Sequence, residues 1–359
     1  MRIEVARNQL ARLLTQTTRA VESRNTIPIL ACVRIVVADG KLTATATDLD
    51  VEVRGSIATT SLGGEGAFCV DAKLFAGIVG KLSSDAVGID VEAGKITVFG
   101  GRSKFKLQTL PVEDFPNLTG PSLTTALDID LAALVAPTAF AISTEETRFY
   151  LNGVYFVGDG KAITAVATDG HRLSRHRQDG AEEFKGVILP RKFVGMLPKG
   201  TVRVELSGGQ VRLTAPGDAD NGETVITSKL IDGTFPDYER VIPTGNTHVI
   251  IADRDAIVRA ADRVSVVSSE RGCAVKMSFA GGQALLAVRG DGDEASDELE
   301  VEYDGEPIDI GFNSRYVADV LGQFPPGKVR LAIEPNSPAV VTSDGAPGLL
   351  AVLMPMRVT

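Results

Sequence analysis

Tryptophan is absent from the 359 residues, and only 5% are aromatic. Leu, Ile, Val and Ala must therefore fill the interior, and a 44% hydrophobic content supports proper cores. Histidine occurs three times, and no cluster of Cys or Glu joins it, which is poor material for a metal centre. The three cysteines, Cys32, Cys69 and Cys273, are odd in number and form no C-x-x-C pair. They point to buried thiols in a reducing compartment. No GxxxxGK[ST], GxSxG or HExxH motif occurs. The longest apolar run, GLLAVLMPM (348–356), is far too short to span a bilayer. The opening MRIEVARNQL lacks the apolar core of a secretory signal. A soluble cytoplasmic protein is expected.

What is present is repetition. An amphipathic helical stretch occurs three times, as RNQLARLLTQTTRA (7–20), DLAALVAPTAFAIS (130–143) and DRDAIVRAADRVSVVS (253–268). Each is followed by two alternating segments, at 31–53, 152–170 and 271–290. A second helical stretch comes next, as DAKLFAGIVGKL (71–82), PRKFVGMLPK (190–199) and NSRYVADVLGQF (313–324). More strands and a proline-containing tail close each unit. The period of roughly 120 residues is the size of a domain, not of a solenoid repeat. Three domains are expected, at 1–120, 121–243 and 244–359. A chain of three like domains can curve into part of a ring.

Leu10, Leu13, Leu14 and Thr17 follow the spacing of one buried helix face, with Arg12 and Arg19 off it. Asp71, Asp130, Asp253 and Asn313 stand where N-caps belong, and Pro190 suits a first helical turn. Pro137 should kink or shorten its helix. Val33, Ile35 and Val37, then Leu42, Ala44 and Ala46, alternate as strands do, with ADGK, GDGK and AGGQ marking turns. The pattern predicts an α+β unit, two helices packed on antiparallel sheet, in each domain. The chain carries a net charge of −9. The six helical windows hold 12 Lys and Arg against 6 Asp and Glu, leaving 25 against 40 elsewhere. If those helices share one surface, it is cationic while the rest is acidic, which suits phosphate contact without base reading.

Eight segments together resemble the bacterial sliding-clamp family, the beta subunit of DNA polymerase III. They are RNTIPIL (24–30), TDLDVEV (47–53), GRSKFKLQTLPVEDFPNL (101–118), RFYLNGVYF (148–156), VATDGHRLS (166–174), TSKLIDGTFPDYERVIP (227–243), GFNSRYVADVL (311–321) and MPMR (354–357). The resemblance spans the chain. It implies the three-domain DNA-clamp fold and a head-to-tail homodimeric ring around double-stranded DNA, with helices inside and sheet outside. It implies no catalysis and no cofactor. The partners implied are the polymerase III alpha subunit, the clamp loader, and other polymerases and repair proteins carrying short hydrophobic motifs.

The resemblance also assigns sites. A hydrophobic partner pocket maps to Leu151, Thr168, Gly170, His171, Arg172 and Leu173. It continues through Pro236, Arg240, Val241, Val352, Met354, Pro355, Met356 and Arg357, with Asn313 and Tyr316 at a neighbouring subsite. Methionines beside Leu and Val make a deformable apolar surface, and the arginines offer donors to peptide carbonyls. Pro338 stands at a rim position where some clamps have a hydroxyl residue. Arg24, Arg148, Phe149, Tyr150, Arg191 and Lys192 match positions facing DNA. Phe149 replaces a frequent tyrosine, removing one phosphate hydrogen bond. For the ring contact, Arg102, Lys104 and Lys106 alternate with Phe105 and Leu107. They are expected to face the acidic stretch 290–300, with Glu294, Glu298 and Glu300, around an apolar centre completed by Val266 and Val267.

Two other readings fit the residues. Asp169 and His171 in ATDGHR can form a general acid–base pair, with His176 as a further ligand. TDLD (47–50) occupies the same repeat position, however, which suggests a structural turn whose Asp caps a backbone amide. A clamp paralogue specialised for repair, a mobile element or antibiotic resistance would share the ring and the pocket.

Overall fold

The computed structural model describes residues 1–118, 124–218, 222–268, 274–289 and 292–358. Cys273, Gly290 and Asp291 lie outside them. Contacts divide the chain into two compact units, Met1–Leu131 with Gly195–Leu230, and Ala132–Val194 with Ile231–Thr359. Each unit takes half of the middle stretch, because strands cross the sequence repeats. Thr224–Lys229 pairs with Val51–Ala58 in the first unit, and Arg172–Asp179 pairs with Leu349–Leu353 in the second.

The first unit holds a five-stranded antiparallel sheet ending at the strand Ser103–Gln108. It also holds an eight-stranded sheet running from Thr125–Ile129 to Gly66–Asp71. Two helices, α1 (Arg7–Thr17) and α2 (Ala72–Lys81), pack on them. Leu10, Leu13, Leu14 and Thr17 of α1 are buried, as their spacing predicts. Phe75, Ile78 and Val79 of α2 join them inside. Asp71 caps α2 by accepting from the Leu74 N–H at 2.7 Å.

The middle helices are short. The third, α3, covers only Leu131–Val135, two residues before Pro137. The fourth, α4, stops at Val194 and covers Arg191–Val194 rather than the expected 190–199. Gly195 follows it, and Pro198 has no N–H to offer the Val194 carbonyl. Pro190 is the last residue of the strand Glu183–Pro190, not part of a first helical turn.

The second unit holds an eight-stranded sheet from Glu183–Pro190 to His248–Asp253 and a four-stranded sheet. The smaller sheet runs Glu294–Glu300, Gln283–Arg289, Ala274–Ala280, Ile308–Asn313. The fifth helix, α5 (Arg254–Ser265), is capped by Asp253, and the sixth, α6 (Ser314–Leu321), by Asn313. They pack together over Phe279, Phe312 and Phe324 in one core. Among the described residues no helix is long and apolar enough to cross a membrane.

The two TD turns are copies of each other. The Asp48 carboxylate accepts from the Asp50 and Val51 N–H groups, and Asp169 accepts from those of His171 and Arg172. The Thr47 and Thr168 hydroxyls donate to the Val51 and Arg172 carbonyls. The turn puts its third residue at positive φ, 89° at Gly170 but 81° at Leu49. A leucine there carries about 1 kcal/mol of strain. Leu49→Gly is expected to raise the melting temperature by about 2 °C, whereas Gly170→Ala lowers it, since a side chain at a φ of 89° is strained. Thermal scans of both variants check this, and a lower melting temperature for Leu49→Gly contradicts it.

Candidate partner pocket and edge strands

A pocket of about 310 Å³ opens within the second unit. Its floor is built by register. Leu173 opposes both Thr168 and Val352 across adjacent strands, so all three side chains share one face of the sheet. Leu151, Leu173 and Val352 are buried in a small cluster with Val166, Ile188 and Phe235. Tyr155 stacks on Phe235 with ring centroids 5.0 Å apart and braces that cluster. Tyr150 and Tyr238 form walls, and Pro236, Asp237, Val241 and Met354 form the rim. Val241 is 53% exposed and Met354 41%.

Several expected positions lie elsewhere. Arg240 is outside the lining, with its side chain 85% exposed and paired to Asp237 at 2.7 Å. Pro355 and Met356 are outside it too, and the Met356 N–H donates to the Gly311 carbonyl at 2.8 Å. Arg357 lines a different groove. Asn313 is engaged as the cap of α6, and Pro338 is not in the lining. His171 offers its carbonyl to the Met354 N–H, and its ring stacks on Tyr316 at 6.0 Å. The sequence pattern does not single out Tyr238 and Tyr150 as walls, although Tyr238 stands two residues after Pro236 in the FPDYERV segment.

Arg172 borders the pocket but is not free to bind peptide. Its guanidinium pairs with Asp169 at 3.0 Å and with Asp319 at 2.5 Å. It also donates to the Phe140 carbonyl at 3.1 Å and lies over the rings of Phe140 and Tyr316, at 5.1 and 4.5 Å. It clamps the TDGH turn to α6. The same bonds remove the acid–base reading. Asp169 is occupied by two backbone amides and Arg172, and His176 Nδ1 lies 2.8 Å from the Leu134 carbonyl. Among the described residues no group of His, Cys, Asp and Glu is placed to hold a metal.

Of the residues matched to DNA-facing positions, Arg148 and Tyr150 line this pocket. Arg148 is paired to Glu145 at 2.7 Å, and that hydrogen bond holds the Glu145 carboxyl below its usual range. Phe149 is exposed and meets Tyr150 edge-on at 5.8 Å. Arg191 and Lys192 sit on α4, and Arg24 is exposed in the segment after α1.

Two edge strands carry opposite charge. In Ser103–Gln108, Phe105 and Leu107 oppose buried Val98 and Ile96 and so face the core, while Lys104 and Lys106 face away. Leu107 is only 8% exposed and offers little surface to a partner, while Phe105 is 37% exposed. The edge strand Glu294–Glu300 turns Glu294, Glu298 and Glu300 outward and Ala295, Asp297 and Leu299 toward α5. Asp297 pairs there with Arg263. Beside it Val266 is 81% exposed, whereas Val267 packs on the core.

Cys32 and Cys69 are buried free thiols on neighbouring strands. Burial pushes Cys32 up to about 11 and Cys69 up to about 12, so both stay protonated and unreactive near neutral pH.

Comparison with known proteins accounts for the repeat. The models of the N-terminal, central and C-terminal domains of the DNA polymerase III beta subunit match residues 1–119, 128–237 and 239–357. The beta sliding clamp of Caulobacter vibrioides is 38% identical over the whole of both chains. That of Pseudomonas putida is 36% identical over 99% of this chain and all of its own. Among solved structures, a sliding clamp from Bartonella birtlesii bound to griselimycin is 40% identical over the whole of both chains, with a TM-score of 0.93. The Pseudomonas aeruginosa subunit is 34% identical over the same coverage, also with a TM-score of 0.93. The chain belongs to the beta sliding clamp family, the beta subunit of DNA polymerase III, a non-catalytic processivity factor that acts in DNA replication as a DNA sliding clamp.

Proposed function

We propose that two copies close head to tail into a ring that encircles duplex DNA without reading its sequence, and that the pocket tethers the replicative polymerase to it. Each copy contributes three clamp domains, 1–120, 121–243 and 244–359, and the ring works in the cytoplasm. The polymerase III alpha subunit, the clamp loader, other polymerases and repair proteins compete for the pocket through short hydrophobic motifs. Arg24, Arg148, Phe149, Tyr150, Arg191 and Lys192 make weak, sliding contacts to phosphates, so retention comes from topology rather than affinity.

The observation that carries the tether is the pocket itself. An apolar floor, two tyrosine walls and the unbranched Met354 at the rim accept Leu and Phe side chains from unrelated peptides. A fluorescent QLxLF peptide is expected to bind with a dissociation constant on the order of micromolar. Val241→Asp places a charge on an exposed rim residue and is expected to weaken binding more than about tenfold. Met354→Ala weakens it by about three- to tenfold, and Met356→Ala changes it little. Fluorescence anisotropy reads all four proteins. Equal binding by wild type and Val241→Asp excludes this pocket as the tether.

A further inference from the structure

We infer that a second groove, on the outer face of the four-stranded sheet, receives an acidic extension of the peptide whose apolar end fills the Leu173–Val352 pocket. The inference rests on that pocket being a peptide site. The groove measures about 320 Å³. Alternation builds it. Val275, Met277 and Phe279 point into the core, as do Ala284, Leu286 and Val288, which turns Lys276, Leu285 and Arg289 outward beside Arg357 and Val358 of the C-terminal tail.

Among the described residues three cations and no carboxylate line this groove, on a chain with a net charge of −9. Lys276 is steadied by Asp309 at 2.8 Å, and hydrogen bonds from Lys276 and Ser278 hold the Asp309 carboxyl below its usual range. Arg289 meets Glu294 at 3.2 Å with both side chains about 70% exposed, a pairing of little worth that a ligand can displace. Arg357 has no ion-pair partner among the described residues. The floor between these charges is aliphatic, through Leu285, Ala287 and Val358, and among the described residues no aromatic ring lines it. An extended acidic peptide fits that surface. Single-stranded nucleic acid would want stacking platforms.

The tail joins groove to pocket. Met354 lines the pocket, and Arg357 and Val358 line the groove. Between them the tail is seated on Gly311, where a Cβ would collide with Val358 Cγ1 and meet the Met356 carbonyl at 2.6 Å. Met354 to Val358 spans at most about 14 Å. A partner chain covers that distance with four or five residues between its apolar anchor and its carboxylates.

The test is anisotropy on the full-length protein in 50 mM NaCl. The peptides are QLSLF alone and QLSLF carrying a four-residue Gly-Ser spacer and four glutamates, on its N-terminal side in one and its C-terminal side in the other. One extended peptide is expected to bind about five- to tenfold tighter than the unextended one, as two or three exposed ion pairs allow. The gain disappears in Lys276→Glu/Arg289→Glu and at 0.5 M NaCl, while unextended peptide binds wild type and variant alike. Lys276→Ala/Arg289→Ala, which only removes charge, reduces the gain without reversing it. No gain with either extension, or a gain that survives both variants, overturns the inference. Failure of the unextended peptide to bind wild type sinks the pocket reading and this inference with it. Binding of a dT12 oligonucleotide that outcompetes the extended peptides and is lost in Lys276→Glu/Arg289→Glu assigns the groove to phosphate and overturns the acidic-peptide occupant.

Discussion

Replacing Lys104 and Lys106 with glutamate is expected to turn the proposed dimer into monomers at micromolar concentration. Both lysines lie on the outward side of an unpaired edge strand. Their proposed partners, Glu294, Glu298 and Glu300, lie on the outward side of another. Strand-to-strand docking would continue the sheet across the contact, with Phe105 and Val266 meeting on the helix-bearing side. An unpaired edge otherwise invites unspecific pairing, and matched charge gives it one partner. Each reversal replaces an attraction with a like-charge repulsion of about 1–2 kcal/mol, so the pair raises the dissociation constant roughly 10²-fold at low salt. Glu298→Lys/Glu300→Lys should do the same alone. Mixed with the lysine variant, it should restore a dimer at the rescued contact. Sedimentation velocity at 50 and 500 mM NaCl reads both effects. A dimer unchanged by either variant would show that these strands do not meet.

Arg172→Ala should cost the second unit about 2–3 kcal/mol. Breaking a buried ion pair costs about 3–5 kcal/mol, and the partial exposure of Asp319 screens part of that here. Asp169 and Asp319 lose their shared cation, the Phe140 carbonyl loses a donor, and two rings lose a flat cationic neighbour. The melting temperature should fall by about 5–10 °C. Arg172→Lys keeps the charge but not the planar fork and should recover less than half of the loss. Peptide affinity should fall with it, because the turn carrying Thr168 and Gly170 is no longer held to α6. A melting temperature within 1 °C of wild type, roughly the precision of such a scan, would mean the network is ornamental.

Much of this was legible before any coordinates. The α1 face, the hairpin turns and the shared TD turn follow from local rules of spacing and turn chemistry, and local rules survive folding. The failures have a common cause. Helix α4 ended early because Gly195 and Pro198 outweighed a favourable apolar spacing. Alternation places Leu107 and Phe105 on one face of their strand, and which face meets a core depends on Ile96 across the sheet. Arg172 looked like a ligand for peptides because Asp319, 147 residues away, is invisible to any local pattern. Tyr238 is invisible as a wall for the same reason, since its place depends on how the 231–243 segment returns to the sheet. Leu173 and Val352 reach the pocket lining through strand register alone, and Leu151 and Met354 lie beside them. Met356 and Arg357 do not line it, because the tail leaves the strand there and crosses onto Gly311.

The central claim is that the protein holds DNA by enclosing it. The direct measurement loads the labelled protein onto a nicked circular plasmid with its clamp loader and ATP, isolates the complex by gel filtration, and cuts the plasmid once. The account predicts co-elution with the circle in 150 mM NaCl and loss from the DNA within minutes of cutting, as a ring slides off free ends. Protein that stays on the cut plasmid at that salt would be held by affinity, and enclosure would be wrong.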